Sequence, residues 1–75
     1  MSSVMNEFKI LSKNLKSLRK DYGYTQKQIA EILGITYQSY QAYERGITTP
    51  TLKHFIKIAE IYDVSLDFLI GKEDI

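Results

Sequence analysis

The 75-residue sequence predicts an all-α domain built from five short helices. Apolar residues recur at spacings of three and four along the chain, which is the period of a helix with one buried face. Threonine or serine stands where each of the last four helices would begin. Glycine or a short polar turn stands where most of the helices would end, at residues 22–24, 34, 46–50 and 63–65.

Length and composition fit one domain over residues 1–75, with a core over about residues 12–70, a short N-terminal extension (1–6) and a C-terminal tail (71–75). Hydrophobic residues make up 44% and charged residues 25% of the chain, which is a globular balance. A chain of this size hides only ~60% of its unfolded surface, so the core must be dense in large apolar groups. With no cysteine and one histidine, His54, no disulfide, metal site or other cofactor is expected.

The sequence also predicts a cytoplasmic protein rather than a membrane or exported one. No apolar run approaches the ~18 residues that a membrane span needs. The first four residues lack the basic and apolar regions of a secretory signal. The absence of cysteine is compatible with a reducing compartment.

Charge is distributed unevenly, although the net charge is only +1. Residues 1–57 contain nine Lys and Arg against four Asp and Glu, whereas residues 58–75 contain one Lys against five Asp and Glu. This asymmetry suits a molecule that turns one face towards phosphates. The alternative is a scatter of solvated charge without a partner.

The first helix is predicted from about Glu7 to Asp21, with its end at Gly23. Its buried stripe consists of apolar residues at helical spacing: Phe8, Leu11, Leu15 and Leu18. Lysines that lie off this stripe are interpreted as a solvated face.

The second helix begins after Thr25, which together with Gln28 fits a capping box. Gly34 supplies the left-handed residue that ends this helix. Its inward face is predicted to contain Ile29, Ala30 and Leu33.

The third helix follows at once, because Thr36 can cap a helix over residues 37–45 that closes at Gly46. Tyr40 and Tyr43 are its predicted inward residues. The outward residues are amides, a phenol, a methyl group and a guanidinium: Tyr37, Gln38, Gln41, Ala42 and Arg45. Gln38 and Gln41 could be solvated amides, and Tyr37 could simply pack on a neighbour.

The fourth helix is predicted to have Thr49 as its N-cap and Pro50 at its first position, where the missing N–H is not needed. Ser65 is predicted to cap a fifth helix over residues 66–70. The buried stripe of the fourth helix is predicted to be Leu52, Phe55, Ile56, Ala59 and Tyr62.

Two short helices joined by a tight glycine turn form the helix-turn-helix pattern, here the second and third helices. Ala30 is small enough for these helices to cross closely, and Gly34 permits the sharp turn. The pattern predicts a module that places the third helix in the major groove of duplex DNA. An enzyme is not expected, because the sequence lacks cysteine, a glycine-rich phosphate loop and a paired-carboxylate motif.

Over about residues 15–69 the sequence resembles the phage-repressor and Cro-like helix-turn-helix domains, also called the xenobiotic-response-element (XRE) family. The resemblance implies a compact five-helix, lambda-repressor-like domain that binds operator DNA, usually as a dimer. The segments that carry it are Leu18-Arg19, Thr25-Gln26, Gln28-Ile29-Ala30, Leu33-Gly34-Ile35-Thr36, Tyr43-Glu44-Arg45-Gly46, Thr49-Pro50, Ile58-Ala59 and Val64-Ser65-Leu66.

The resemblance also implies roles for individual residues. Gln26 matches a phosphate-contacting glutamine, and Arg19 and Glu44 match a structural ion pair. Since a carboxylate in the last helical turn opposes the helix dipole, Glu44 needs such a partner. The outward residues expected to meet base edges are Tyr37, Gln38, Gln41 and Ala42.

Further phosphate contacts are expected at helix N-termini and at the end of the reading helix. The candidates are Lys27, Thr36, Arg45 and Thr48. The sequence departs from the family pattern at two single residues and in one segment. Ala42 is short, so that contact would reduce to a methyl group against thymine. Tyr40 is larger than the usual aliphatic residue, and residues 47–49 are less basic than in many relatives.

The sequence therefore predicts a repressor-type transcriptional regulator that binds an inverted-repeat operator as a homodimer, without a small-molecule ligand. The apolar segment 68–70 is the expected dimer contact. The alternative is a protein-interaction module, such as the antitoxin of a toxin–antitoxin pair, that uses the same fold.

Overall fold

The computed structural model describes residues 3–72, with side chains from residue 6 onwards, and this part of the chain forms five α-helices. They are α1 (Ser3–Asp21), α2 (Gln26–Leu33), α3 (Tyr37–Arg45), α4 (Leu52–Tyr62) and α5 (Leu66–Leu69). The predicted all-α, lambda-repressor-like architecture of five helices is confirmed. Among residues 3–72, no helix has the length and apolar character needed to span a membrane.

α1 begins at Ser3, so its predicted start near Glu7 is wrong and residues 3–6 belong to the helix. Leu11 and Leu15 are buried, and Leu18 packs against the core from its edge. These three residues confirm the helical stripe that the sequence predicts for α1.

Phe8 was predicted to be buried in this stripe, and that prediction is wrong, since Phe8 is 44% exposed. It lies beside an open groove that is lined by Ser12, Gly46 and Ile47, among others. Periodicity places Phe8 on the correct side of α1, but no neighbouring element fills the space opposite it.

The joint between α2 and α3 follows the prediction. Thr25 caps α2 in a complete capping box, in which the Gln28 N–H donates to the Thr25 hydroxyl and the Thr25 N–H donates to the Gln28 amide oxygen. Gly34 has the left-handed φ of 73° and ends α2. The Thr36 hydroxyl accepts from the N–H of Ser39 and caps α3.

α4 begins two residues later than predicted. Thr51 is the N-cap, and its hydroxyl accepts from the His54 N–H at 3.3 Å, so the prediction of Thr49 as the cap is wrong. Pro50 consequently precedes the cap and does not occupy the first helical position.

The buried face of α4 also differs from the predicted one. Ile58 is fully buried together with Ala59 and Tyr62, whereas Leu52 and Ile56 are 69% and 42% exposed. The prediction of Leu52 and Ile56 as core residues is therefore wrong. The apolar residues of α4 allow two stripes at helical spacing, and the core selects the one that contains Ile58.

α5 is capped by Ser65 as predicted, and it buries Leu69 completely. Asn14 of α1 ties down the end of α5, because its amide nitrogen donates to the carbonyls of Phe68 and Leu69 at 3.2 and 3.0 Å. These carbonyls lie at a helix end, where intrahelical partners are lacking. α1 thereby holds the end of α5 through a polar side chain, while Leu69 of α5 joins Leu11 and Leu15 of α1 in the core.

Three of the four joints in residues 3–72 have the same construction. Gly23, Gly34 and Asp63 adopt left-handed φ values of 78°, 73° and 52°. One apolar residue follows each of them and donates its N–H to the carbonyl five residues earlier at 3.0 Å. A helix cap comes next. The apolar residues are Tyr24, Ile35 and Val64, and all three pack against the core.

Candidate nucleic-acid interface

The outward surface of α3 carries the predicted base-contacting residues. Gln38 is exposed, whereas Tyr37, Gln41 and Ala42 are half-buried. The inward residues of the same helix, Tyr40 and Tyr43, are buried as predicted, and this fixes the rotation of α3 about its axis. The helix therefore presents polar groups of different reach along one side.

The N-terminal end of α2 lies against the first turn of α3. Lys27 is exposed, and its Nζ lies 5.5 Å from the centroid of the Tyr37 ring, within the range of a cation–π contact. Gln26 is half-buried, and its Oε1 lies 3.4 Å from Nε2 of Gln41. The structure thus brings together two predicted phosphate contacts and two predicted base contacts.

The remaining predicted phosphate contacts lie at the two ends of α3. Thr36 is exposed, and its hydroxyl also donates to the Ser39 hydroxyl at 2.9 Å. Arg45 is exposed in the last turn. Thr48 is exposed in the following loop, which is held to α3 because its backbone N–H donates to the Ala42 carbonyl at 3.4 Å.

A buried polar cluster beneath this surface is centred on the Glu44 carboxylate, whose side chain is 3% exposed. Nε of Arg19 donates to its Oε2 at 2.6 Å, and Nη2 donates to its Oε1 at 3.2 Å. The Tyr40 hydroxyl donates to Oε2 at 2.6 Å, and Nε2 of Gln26 donates to Oε1 at 3.0 Å. We call Arg19, Gln26, Tyr40 and Glu44 the Glu44 cluster. It joins α1, α2 and α3 at one point.

The Glu44 cluster stabilises the ionised form of its carboxyl group. Burial alone would raise the pKa of Glu44, but hydrogen bonds from Arg19, Tyr40 and Gln26 outweigh this effect, so the pKa is lowered from the ordinary value of 4.5. The hydrogen bond to Glu44 correspondingly raises the pKa of Arg19. At neutral pH the cluster is therefore an ion pair with two additional neutral donors.

The predicted partners Arg19 and Glu44 are in contact in the structure. Tyr40 was expected only in the core and Gln26 only on phosphate, so their contacts with Glu44 were not predicted. One signal for Tyr40 was present, because residues four apart lie on the same side of a helix and Tyr40 is four before Glu44. No local signal exists for Gln26, since its contact depends on how α2 crosses α3.

The comparisons with known proteins agree with this architecture. A family model described as helix-turn-helix matches residues 15–69. The uncharacterized HTH-type transcriptional regulator YqaE of Bacillus subtilis is 47% identical over 64 residues, which is 85% of this chain and 55% of that protein. The HTH-type transcriptional regulator ImmR of Bacillus subtilis is 40% identical over 65 residues, which is 87% of this chain and 51% of ImmR.

The cryptic phage CTXphi transcriptional repressor RstR of Vibrio cholerae is 37% identical over 62 residues, which is 83% of this chain and 55% of RstR. The chain spans about half the length of these curated relatives. The matched region contains α2, α3 and the joint between them, together with the Glu44 cluster. The chain belongs to the phage-repressor and Cro-like (XRE) helix-turn-helix family.

Proposed function

We propose that this chain binds duplex DNA sequence-specifically as the DNA-binding unit of a transcriptional regulator of the repressor type. The observation that carries the proposal is the outward surface of α3. It offers amides, a phenol and a guanidinium beside the N-terminus of α2, on helices that the Glu44 cluster holds together. The names of the similar proteins, transcriptional regulators and a phage repressor, support the same function.

In this proposal α3 enters the major groove and reads base edges. Gln38 is the most exposed of the predicted readers, and its amide both donates and accepts, as adenine does in that groove. Tyr37, Gln41 and Ala42 would make closer or apolar contacts from their half-buried positions.

Phosphate contacts would flank the reading helix. Lys27 and Gln26 at the start of α2, together with the positive end of its helix dipole, favour an anion there. Thr36, Arg45 and Thr48 would contact phosphates at the two ends of α3. Such contacts fix the register of the domain on DNA and carry no sequence information.

We further propose that two copies bind an inverted repeat with half-sites about one turn, ~34 Å, apart. A single small domain reads too few base pairs for genomic selectivity. Leu69 cannot contribute to the expected dimer contact at 68–70, because it has no exposed surface. Phe68 and Ile70 are half-buried and remain available in part.

Selection of bound sites from a pool of random duplexes tests the proposal. Gln38→Ala should flatten the preference at one base pair by roughly 1–3 kcal/mol and leave the salt dependence nearly unchanged. Lys27→Met keeps the aliphatic stem beside Tyr37 and should weaken binding to all duplexes by a similar factor. It should also reduce the slope of log affinity against log salt concentration by about one. A wild-type chain that selects no sequence would contradict the proposal. Selected sites without dyad symmetry, bound by one chain, would contradict the dimer.

The alternative of an antitoxin-type interaction module gains no specific support. The relatives described above are named as transcriptional regulators and a repressor. The polar surface of α3 also has no role in an interaction module that does not bind DNA.

A further inference from the structure

A continuous row of polar groups runs from the interior of the domain to its predicted reading surface. It begins at Arg19, passes through the Glu44 carboxylate to the Gln26 amide, and ends at the Gln41 amide. The three contacts measure 2.6, 3.0 and 3.4 Å. The side chains of Arg19 and Glu44 are 11% and 3% exposed, whereas Gln26 and Gln41 are half-buried. The row therefore connects a buried charge to a residue that faces the proposed DNA.

The direction of each hydrogen bond in the row follows from the chemistry of Glu44. An ionised carboxylate can only accept hydrogen bonds. The group that Gln26 turns towards Glu44 must therefore be its NH2, and this fixes which end of the Gln26 amide is which. The low pKa of Glu44 keeps its carboxylate ionised at neutral pH, so this orientation holds under physiological conditions.

The orientation of the Gln41 amide follows from that of Gln26. With its NH2 on Glu44, Gln26 turns its oxygen towards Gln41. An oxygen only accepts, so Gln41 must approach it with its own NH2. The amide oxygen of Gln41 is then the end that is directed away from Gln26.

We infer that Gln26 is a positioning residue that holds the Gln41 amide in one of its two orientations, so that Gln41 presents its oxygen to the major groove. The inference rests on the proposed function. The partner of that oxygen would be an exocyclic amino group, N6 of adenine or N4 of cytosine. A flipped Gln41 amide would instead present its NH2 to the keto oxygens of thymine or guanine. Gln26 thereby sets a preference for amino bases over keto bases on the contacted strand.

The test measures base preference in variants on both sides of the Gln26–Gln41 contact. Gln41→Ala, titrated against single-base variants of the selected site, identifies the base pair that Gln41 reads. Gln26→Met removes the orienting oxygen, and we expect it to reduce the amino-over-keto preference at that same base pair by roughly two- to tenfold, the loss of one hydrogen bond. The double variant should lose no more preference there than Gln41→Ala alone.

Lys27→Met is the matched control, because Lys27 lies on the same turn of α2 but outside the row. This substitution should weaken binding to every duplex by a similar factor and leave the base preference at that base pair unchanged. A purely phosphate-binding Gln26 would behave like Lys27, so an unchanged preference in Gln26→Met overturns the inference. An unchanged preference in Gln41→Ala overturns it independently, which covers the case that Gln26→Met does not fold. Absence of any sequence preference in the wild-type chain would overturn the proposed function and this inference together, so the two failures are distinguishable.

Discussion

Two tyrosines make it possible to apply one substitution at two equally buried sites with opposite expected results. Tyr40 and Tyr62 are 0% and 1% exposed. The Tyr40 hydroxyl donates to the Glu44 carboxylate at 2.6 Å. Within the part of the chain that the structure describes, no group offers a hydrogen-bond partner to the Tyr62 hydroxyl. Replacement by phenylalanine removes the same oxygen from both sites and leaves both rings in place.

The two changes should shift the free energy of unfolding in opposite directions. Tyr40→Phe removes a hydrogen bond to an ionised group and should destabilise the domain by ~1.5–3 kcal/mol. Tyr62→Phe removes a hydroxyl that loses its water on folding and gains no partner, so it should stabilise the domain by about 1 kcal/mol. At ~4–8 °C per kcal/mol for a domain of this size, the midpoint temperatures of the two variants should differ by at least about 10 °C.

Urea unfolding followed by far-UV circular dichroism at neutral pH measures the stability of both variants against the wild-type chain. Thermal melts give an independent ranking of the three proteins by stability. The denaturant dependence should be the same in all three proteins, because the area exposed on unfolding hardly changes. Equal destabilisation by the two substitutions would refute the reasoning. It would mean that the Tyr62 hydroxyl is hydrogen-bonded in solution, for example to a buried water.

Three further results are expected. Arg19→Met and Glu44→Gln should each destabilise by ~3–5 kcal/mol, because one partner of a buried pair is left alone, and should be strongly non-additive in the double variant. The Lys72–Glu7 pair, whose side chains are 52% and 19% exposed, is the more exposed control and should contribute at most ~1 kcal/mol. Additive losses at Arg19 and Glu44 would mean that they do not interact. The folded-state pKa of Glu44 lies below its ordinary value of 4.5, so its contribution to the free energy of unfolding should be complete above pH 4.5 and should disappear as the pH falls through the folded-state pKa. An acid titration in which the wild-type chain and Glu44→Gln lose stability in parallel would contradict this. Gly34→Ala should cost ~1–2 kcal/mol by urea unfolding, from the left-handed backbone alone, since no atom beyond the two adjacent residues lies within 4 Å of the added methyl group. A much larger loss would indicate a steric clash.

Features decided by neighbouring residues could be predicted from the sequence, whereas features decided by packing could not. The caps at Thr25, Thr36 and Ser65 depend on atoms within three residues, so their sequence signature is complete. Thr49 and Thr51 both satisfy the same local rule, and the structure uses Thr51. Which apolar stripe of α4 faces inward is decided by the core, since Ile58 is fully buried whereas Leu52 and Ile56 are exposed.

The candidate site divides in the same way. Helical spacing was sufficient to find the outward residues of α3 and to place Tyr40 inside. The sequence contained no sign that Gln26 would approach both Glu44 and Gln41, because these contacts bring together residues 18 and 15 positions apart. Their existence depends on the angle at which two helices cross, which is set by the whole core.

The repeated joint construction has a consequence for how this domain can vary. At three joints the left-handed residue, a half-buried apolar residue and the cap follow one another without a spare position, so an inserted residue would displace an apolar side chain from the core or displace a cap. The joint between Gly46 and Thr51 begins in the same way, since Gly46 is left-handed and the Ile47 N–H donates to the Ala42 carbonyl at 3.0 Å. It differs afterwards, because Ile47, Thr48 and Thr49 are all exposed and the cap, Thr51, does not follow directly. We therefore expect changes in length or charge to be tolerated mainly in this loop, which follows α3. Under the proposed function, such changes would alter the affinity for DNA without changing the angle between α2 and α3.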